Sequence, residues 1–343
     1  METRFMKPTV FLLSWMLPFF CFSQYTYQNL HVDFLQNPLA LKNNTYGNLR
    51  LYPVFATDDF RKAVGNVGTY TPLQDAVAKK KVKITEKNTS GSVNDLMVEN
   101  LSGDTIIIIC GDVVKGGQQD RIIQEDVVLA PKSGKKNLKV FCVESGRWTR
   151  IHTNDVASDR TVSNVTITSS DNMDNNPAEF KAYYSKGAMS LRKVVEKEKD
   201  QSKVWSKVEE INQKNKTESP TSAYTAINTS DSFSKKLVGY LKYYANRLTN
   251  PNIVGVIIVT GNKVLGCDLF ATNSLFRGQY QSLLHSYATE AILNGAPVTI
   301  SEKTVKAYAD QLFIDEATQQ KTLKEKGTAF VSKGKKLRIS CFD

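Results

Sequence analysis

Histidine is scarce in this 343-residue chain, occurring only at His31, His152 and His285, in three unrelated segments. Cysteine occurs five times and never as C-x-x-C. Without clustered soft ligands at metal-binding spacings, no zinc or other metal centre is expected, and no cofactor is implied. No G-x-x-x-x-G-K-[ST] stretch occurs either, which removes phosphate-loop nucleotide chemistry from consideration. Past the N-terminal run, nothing approaches the ~18 consecutive apolar residues of a transmembrane helix.

What is present describes a globular protein: 41% apolar and 23% charged residues suffice for a buried core. Residues 1–23 read as a secretory signal, with Arg4 and Lys7 ahead of an apolar run from Val10 to Phe20. Small residues in Cys21-Phe22-Ser23 place cleavage before Gln24, so export to the periplasm or the extracellular space is expected. The formal net charge of +11 raises nucleic acid as a partner. Much of that charge lies in Lys79–Lys81, Lys132–Lys136 and Lys333–Lys336, with no aromatic residue interleaved for base stacking. These runs read as solvated turns, and nucleic-acid binding is not expected. Four cysteines follow the signal, enough for ~3 disulfide pairings. Cys110, Cys142 and Cys341 also fit apolar strands as free thiols, and the sequence leaves the choice open.

The expected fold class is α+β. Residues 24–47 read as an irregular lead-in. Residues 48–165 form a mostly antiparallel β-rich region, a sheet or a sandwich, with runs at Leu49–Phe55, Val82–Thr85, Val93–Asn100, Thr105–Val114, Arg121–Leu129 and Leu138–Glu144. Pro53 marks the first as an edge or an end. Thr71-Pro72-Leu73-Gln74 predicts a helix start with a capping box. Residues 149–177 read as a linker rich in Asn, Asp, Ser and Thr. Residues 176–343 form an α+β region of amphipathic helices with two β-hairpins, either separate from the first region or one domain with it. A helical stretch is expected from Phe180, a stripe from Phe233 to Leu248, and a long helix over Leu275–Leu293. The hairpins are Ile253–Val259 with Lys263–Phe270 across Gly261-Asn262, and Thr328–Val331 with Leu337–Phe342.

Two polar clusters close apolar runs: GDVVKGGQQDR, from Gly111 to Arg121, and CVESGRW, from Cys142 to Trp148. Gly116 and Gly117 read as turn residues needing positive φ. Glu144, beside an apolar strand, is a candidate acid or base, with Asp112 and Asp268 as candidate second carboxylates. Arg121 and Arg147 can clamp an anion, Gln119 can bond a ligand, and Trp148 can stack on a ring. Glu290 shares the buried face of Leu283 and meets either an Arg or a site. The competing reading pairs Glu144 with Arg121, and Asp112 or Asp120 with Arg147, as a network that holds loops. Asp268 then serves the helix start at Asn273, His285 faces solvent, and Cys142 is a packed thiol.

Several stretches together resemble the ARG-and-rhodanese-phosphatase-superfamily-associated domain family, a largely bacterial and uncharacterised group. They are TPLQDAV with ITE, SVNDLMVEN, GDVVKGGQQDRII, CVESGRW, QSKVW with SPTSAY, and GCDLFATNSLF with LLHSYATEA. The resemblance runs from about Leu49 to the C-terminus and implies a shared fold, without supplying a reaction. It carries over Gly116, Gln119 and Arg121; Cys142, Glu144, Gly146, Arg147 and Trp148; and Asp268, Phe270, Ser286 and Tyr287. Gln118-Gln119 stands where the family often has Lys-Gln, so a cation is missing from that loop.

Two functions follow. One is an envelope module that binds a small molecule or a partner, with the polar motifs holding its loops. The other is a hydrolase-like enzyme. There Glu144 with Asp268 or Asp112 does acid–base work, and Arg121 and Arg147 clamp an anionic or sugar-nucleotide-like substrate. The sequence leaves open whether the protein is an enzyme, and prefers the first.

Overall fold

Antiparallel pairing dominates, as the short turns between apolar runs require. The computed structural model describes residues 25–34, 38–87, 92–147 and 179–343. A seven-stranded sheet runs in the order Leu30–Val32, Leu49–Ala56, Ile253–Thr260, Lys263–Phe270, Lys335–Phe342, Gly327–Ser332. Thr45–Tyr46 pairs beside the second of these. Both expected hairpins lie in this sheet, and the tight turn at Gly261 takes a positive φ of 54°. The lead-in is less irregular than its composition suggests, since it supplies two short strands and the helix Pro38–Asn43. Pro53 is not on an edge strand. It lies opposite Val256, in the stretch between the short neighbours that pair with residues 49–50 and 54–56. One side of the strand is open there, and a missing N–H is tolerated.

The remaining strands close a six-stranded antiparallel barrel: Lys136–Cys142, Asp95–Asn100, Val82–Glu86, Glu179–Lys186, Asp112–Gly116, Arg121–Ile123, and back to the first. Inward side chains such as Ile84, Leu96, Val98, Val114, Ile123, Leu138, Val140 and Phe180 fill it with a core of its own. Leu73, Ala76, Ile106, Ile108 and Leu129 extend that core. Ile106–Ile108, buried on both faces, is the centre of a three-stranded sheet with Val127–Leu129 and Thr71–Pro72. Two expected single strands are therefore broken. Thr105–Val114 is interrupted by the turn at Cys110-Gly111, and Arg121–Leu129 by Gln124–Asp126. Phe180 to Tyr184 is strand, not helix, with register shifts after Phe180 and Tyr183 against Asp112–Gly116. The capping box does not form. Thr71 Oγ1 instead donates to Asp104 at 3.1 Å, and Gln74 reaches the Gly278 carbonyl at 3.2 Å.

Helices cover both faces of the large sheet. Asn273–Asn294, capped by Thr272, touches the sheet strand Ile253–Thr260, the barrel strand Glu179–Lys186 and the helix Asp231–Tyr244. Glu302–Phe313 and Glu316–Lys326 pack against the strands at Lys263–Phe270 and Gly327–Phe342. The polar centre at Glu196–Lys203 is a break between helices: Lys199 takes φ 50°, and Asp200 caps Gln201–Lys214. Each lysine run makes a turn around one left-handed lysine, Lys80, Lys132 and Lys333, with Lys136, Lys335 and Lys336 already in the strands that follow. Among the described residues no helix is long and apolar enough to cross a membrane. Residues 1–23, Gln24 and the whole 149–177 stretch lie outside the described residues.

Candidate functional site

Register brings the two polar motifs together. Cys142 lies directly opposite Arg121 on adjacent barrel strands, so the residues that follow one and precede the other share the same end of the barrel. Arg147 binds them. Its Nε reaches both Glu144 oxygens, at 3.0 and 2.9 Å, and its Nη2 lies 2.7 Å from Glu144 Oε2. Nη2 also donates to Asp120 Oδ1 at 3.1 Å, and Nη1 to the Gly117 carbonyl at 3.1 Å. Glu144 Oε2 accepts the Asp120 N–H, and the other Asp120 oxygen accepts Thr225 Oγ1 at 3.0 Å. Burial raises the Asp120 pKa and Glu144 beside it adds to the rise, while Arg147 opposes both. Burial alone would lower the pKa of Arg147, but Glu144 and Asp120 more than compensate. One guanidinium thus ties the two motif loops into a rim, and Asp120 adds Thr225 from a third segment.

Beneath the rim, the barrel interior turns polar. Strand alternation that points Ile84 and Ile123 inward also points Glu86 and Arg121 inward. Arg121 is fully buried, its Nη1 held by the Gln119 carbonyl at 2.7 Å. Its Nη2 approaches Glu86 Oε1 no closer than 3.7 Å, which is too long for a hydrogen bond. That oxygen instead accepts the Gln118 N–H at 2.8 Å. Burial raises the Glu86 pKa against the pull of that N–H, Arg121 and Arg147. Gly117 is required at this corner: at φ 58°, a Cβ would collide with the Phe180 ring and stand 2.7 Å from Glu86 Oε1. The Cys142 thiol is also inward-facing. Burial pushes its pKa up to about 11, so it is a packed thiol rather than a nucleophile.

A second ionic cluster sits between the large sheet and the barrel. Asp268 takes Arg192 bidentately at 3.0 and 2.7 Å, Arg338 at 3.1 Å and the Tyr287 hydroxyl at 2.8 Å. Burial works against the charge, but the two guanidiniums hold Asp268 well below the usual carboxylate range. Arg338 extends to Asp126, at 3.0 and 2.9 Å, and to Glu196 at 3.2 Å. Asp112 pairs with the fully buried Lys186 and accepts from Tyr183 OH and the Ile109 N–H. Burial lowers the Lys186 pKa despite that partner.

Several expectations are therefore revised. Arg121 faces Glu86 rather than Glu144; of the two acids expected to meet Arg147, Asp120 does so while Asp112 meets Lys186. Asp268 neither serves the start of its neighbouring helix nor shares a site with Glu144. Glu290 meets no Arg: it accepts the Ser190 N–H at 2.9 Å and Asn294 at 2.7 Å, bracing the start of Met189–Lys193. Gln119 contributes its carbonyl and leaves its side chain unused in these bonds. His285 is half-buried rather than solvated; it packs edge-on against Tyr184 at 5.9 Å, and burial lowers its pKa to about 4. Trp148 lies outside the described residues. Glu86, Gln118, Arg192 and Arg338 were not singled out by sequence, although inward alternation with Ile84 could have flagged Glu86. Among the described residues no cluster of His, Cys, Asp and Glu is arranged to hold a metal ion.

The family model of the ARG and Rhodanese-Phosphatase-superfamily-associated Protein domain matches residues 40–341. No curated protein and no solved structure matches the chain.

Proposed function

The chain belongs to the ARG and Rhodanese-Phosphatase-superfamily-associated Protein domain family, and from that premise we propose that it is an exported envelope module that binds a ligand or partner at the polar end of its barrel. The carrying observation is the commitment of Arg147 to Glu144, Asp120 and the Gly117 carbonyl, which ties the two motif loops together at that end. A hydrolase would need a carboxyl free to exchange a proton with substrate. Glu144 is instead engaged on both oxygens, and its candidate partners Asp268 and Asp112 are engaged in a separate cluster. Export rests on the basic, then apolar, then small-residue order of residues 1–23.

In this reading Glu144→Ala and Arg147→Ala each lower the melting temperature of the purified protein. Wild-type melting in both variants would remove the rim's role. Intact mass of the protein recovered from the envelope should correspond to a chain starting at Gln24, and a full-length mass counts against export.

A further inference from the structure

At the floor of the barrel's polar end, five buried polar atoms have no hydrogen-bond partner: Glu86 Oε2, Gln118 Oε1 and Nε2, and Arg121 Nε and Nη2. They belong to three residues that are each more than nine-tenths buried, with Glu86 Oε1 accepting the Gln118 backbone N–H at 2.8 Å and standing 3.7 Å from Arg121 Nη2. Each such atom left bare costs free energy, and three neighbouring residues of this kind are a pattern that folding alone does not favour. The unpartnered pair on Arg121 is specific. Nε and Nη2 form one straight edge of the guanidinium, the edge that grips a carboxylate bidentately. On Arg147, in the same site, that edge does hold a carboxylate, that of Glu144.

We propose that Arg121, Gln118 and Glu86 form a binding site for a small carboxylate that also carries a hydroxyl or amino donor. The carboxylate lies along the Arg121 edge, with the Gln118 Nε2 donating to it. The ligand's own donor goes to Glu86 Oε2 or Gln118 Oε1, so four of the five atoms gain partners. This names a ligand class for the binding reading above and rests on it.

The test is thermal melting of the mature wild-type protein with glycolate, with acetate (which lacks the donor) and with inorganic phosphate. Glycolate is expected to raise the melting temperature by about 5 °C at a hundredfold excess over its Kd. Acetate should need at least about tenfold more for the same shift, one hydrogen bond to a charged group being worth roughly that. Gln118→Met removes only unpartnered side-chain atoms, so it should fold as wild type by circular dichroism and lose the glycolate shift. No shift with glycolate at tens of millimolar, an equal shift in Gln118→Met, or a larger shift with phosphate each overturns the proposal. Because these arms use wild-type protein and Gln118→Met, they fail separately from the Glu144 and Arg147 melting test.

Discussion

Two buried ionic clusters share this fold and handle burial in opposite ways. Around Asp268, all the carboxylate oxygens of Asp268, Asp126, Glu196 and Asp112 meet a cation, a hydroxyl or a backbone N–H. At the barrel end the rim is similarly closed, but its floor keeps unpartnered atoms on Glu86, on Gln118 and on both Nε and Nη2 of Arg121, whereas the Asp268 cluster leaves only the Nε of Arg192 and of Arg338 without a partner. The pKa directions follow: Asp268 is driven down by its two arginines, while Glu86 and Asp120 are driven up by burial that their partners do not offset. A network whose carboxylates are all met holds a fold together. One that leaves a bidentate edge open, in a wall otherwise built to native standards, is shaped for something else to complete it.

The largest expected effect is on the closed cluster. Asp268→Ala strands Arg192 and Arg338 in the interior and should cost about 3–5 kcal/mol in urea unfolding. A loss under ~1 kcal/mol would break the contrast, because the cluster would then be no more structural than the open one. Arg147→Ala comes next, at about 1–3 kcal/mol, reduced because a quarter of its side chain is exposed to solvent. A loss as large as that of Asp268→Ala would make the rim equivalent to the interior network.

A third effect separates the clusters by pH. The Asp268 pKa is lower in the folded than in the unfolded chain, so its contribution is complete above the unfolded value of ~3.9 and fades as pH falls below it. For Glu86 the folded value is raised, so stability is lost as pH rises from the unfolded value of ~4.3 through the folded one. Glu86→Gln removes that loss. Its stability relative to wild type should therefore increase between pH 4 and pH 7, and a flat difference across that range would show Glu86 to be as well compensated as Asp268. The smallest effect serves as a control outside both clusters. Lys132→Gly, at φ 47°, relieves a left-handed side chain and should gain about 0.5–1 kcal/mol, independently of pH.

What could be read from residues alone followed from local rules. Gly261-Asn262 announced a hairpin, Phe233 to Leu248 a helix face, and Gly116-Gly117 a positive-φ turn, because each depends on neighbours within a few positions. The meeting of the two polar motifs was anticipated as a side-by-side arrangement of strand ends, with Asp120 and Arg147 as one expected pair, while Arg121 was expected to meet Glu144 and faces Glu86 instead. Asp268 finds Arg192 and Arg338, each about 70 or more residues away, and no periodicity encodes such pairings. Phe180 to Tyr184 carried aromatic residues at spacings that suit a helix, yet barrel closure holds them extended, with bulges absorbing the mismatch. Gln124–Asp126 looked like strand interior. The chain turns there, and Asp126 at the turn faces Arg338.

The strand order of the large sheet has a further consequence in time. Leu49–Ala56 emerges early from synthesis, but its full-length partner, Ile253–Thr260, lies beyond the whole barrel. The barrel's strand contacts lie within residues 82–186, and it can form on its own schedule while an apolar strand waits unpaired. Loop closure over that distance makes the sheet the slow step. Refolding should thus proceed in two phases, barrel first. During the interval the waiting strand is the segment most exposed to wrong pairing, and a chain kept extended until it has crossed a membrane would pass through that interval with both partners already made.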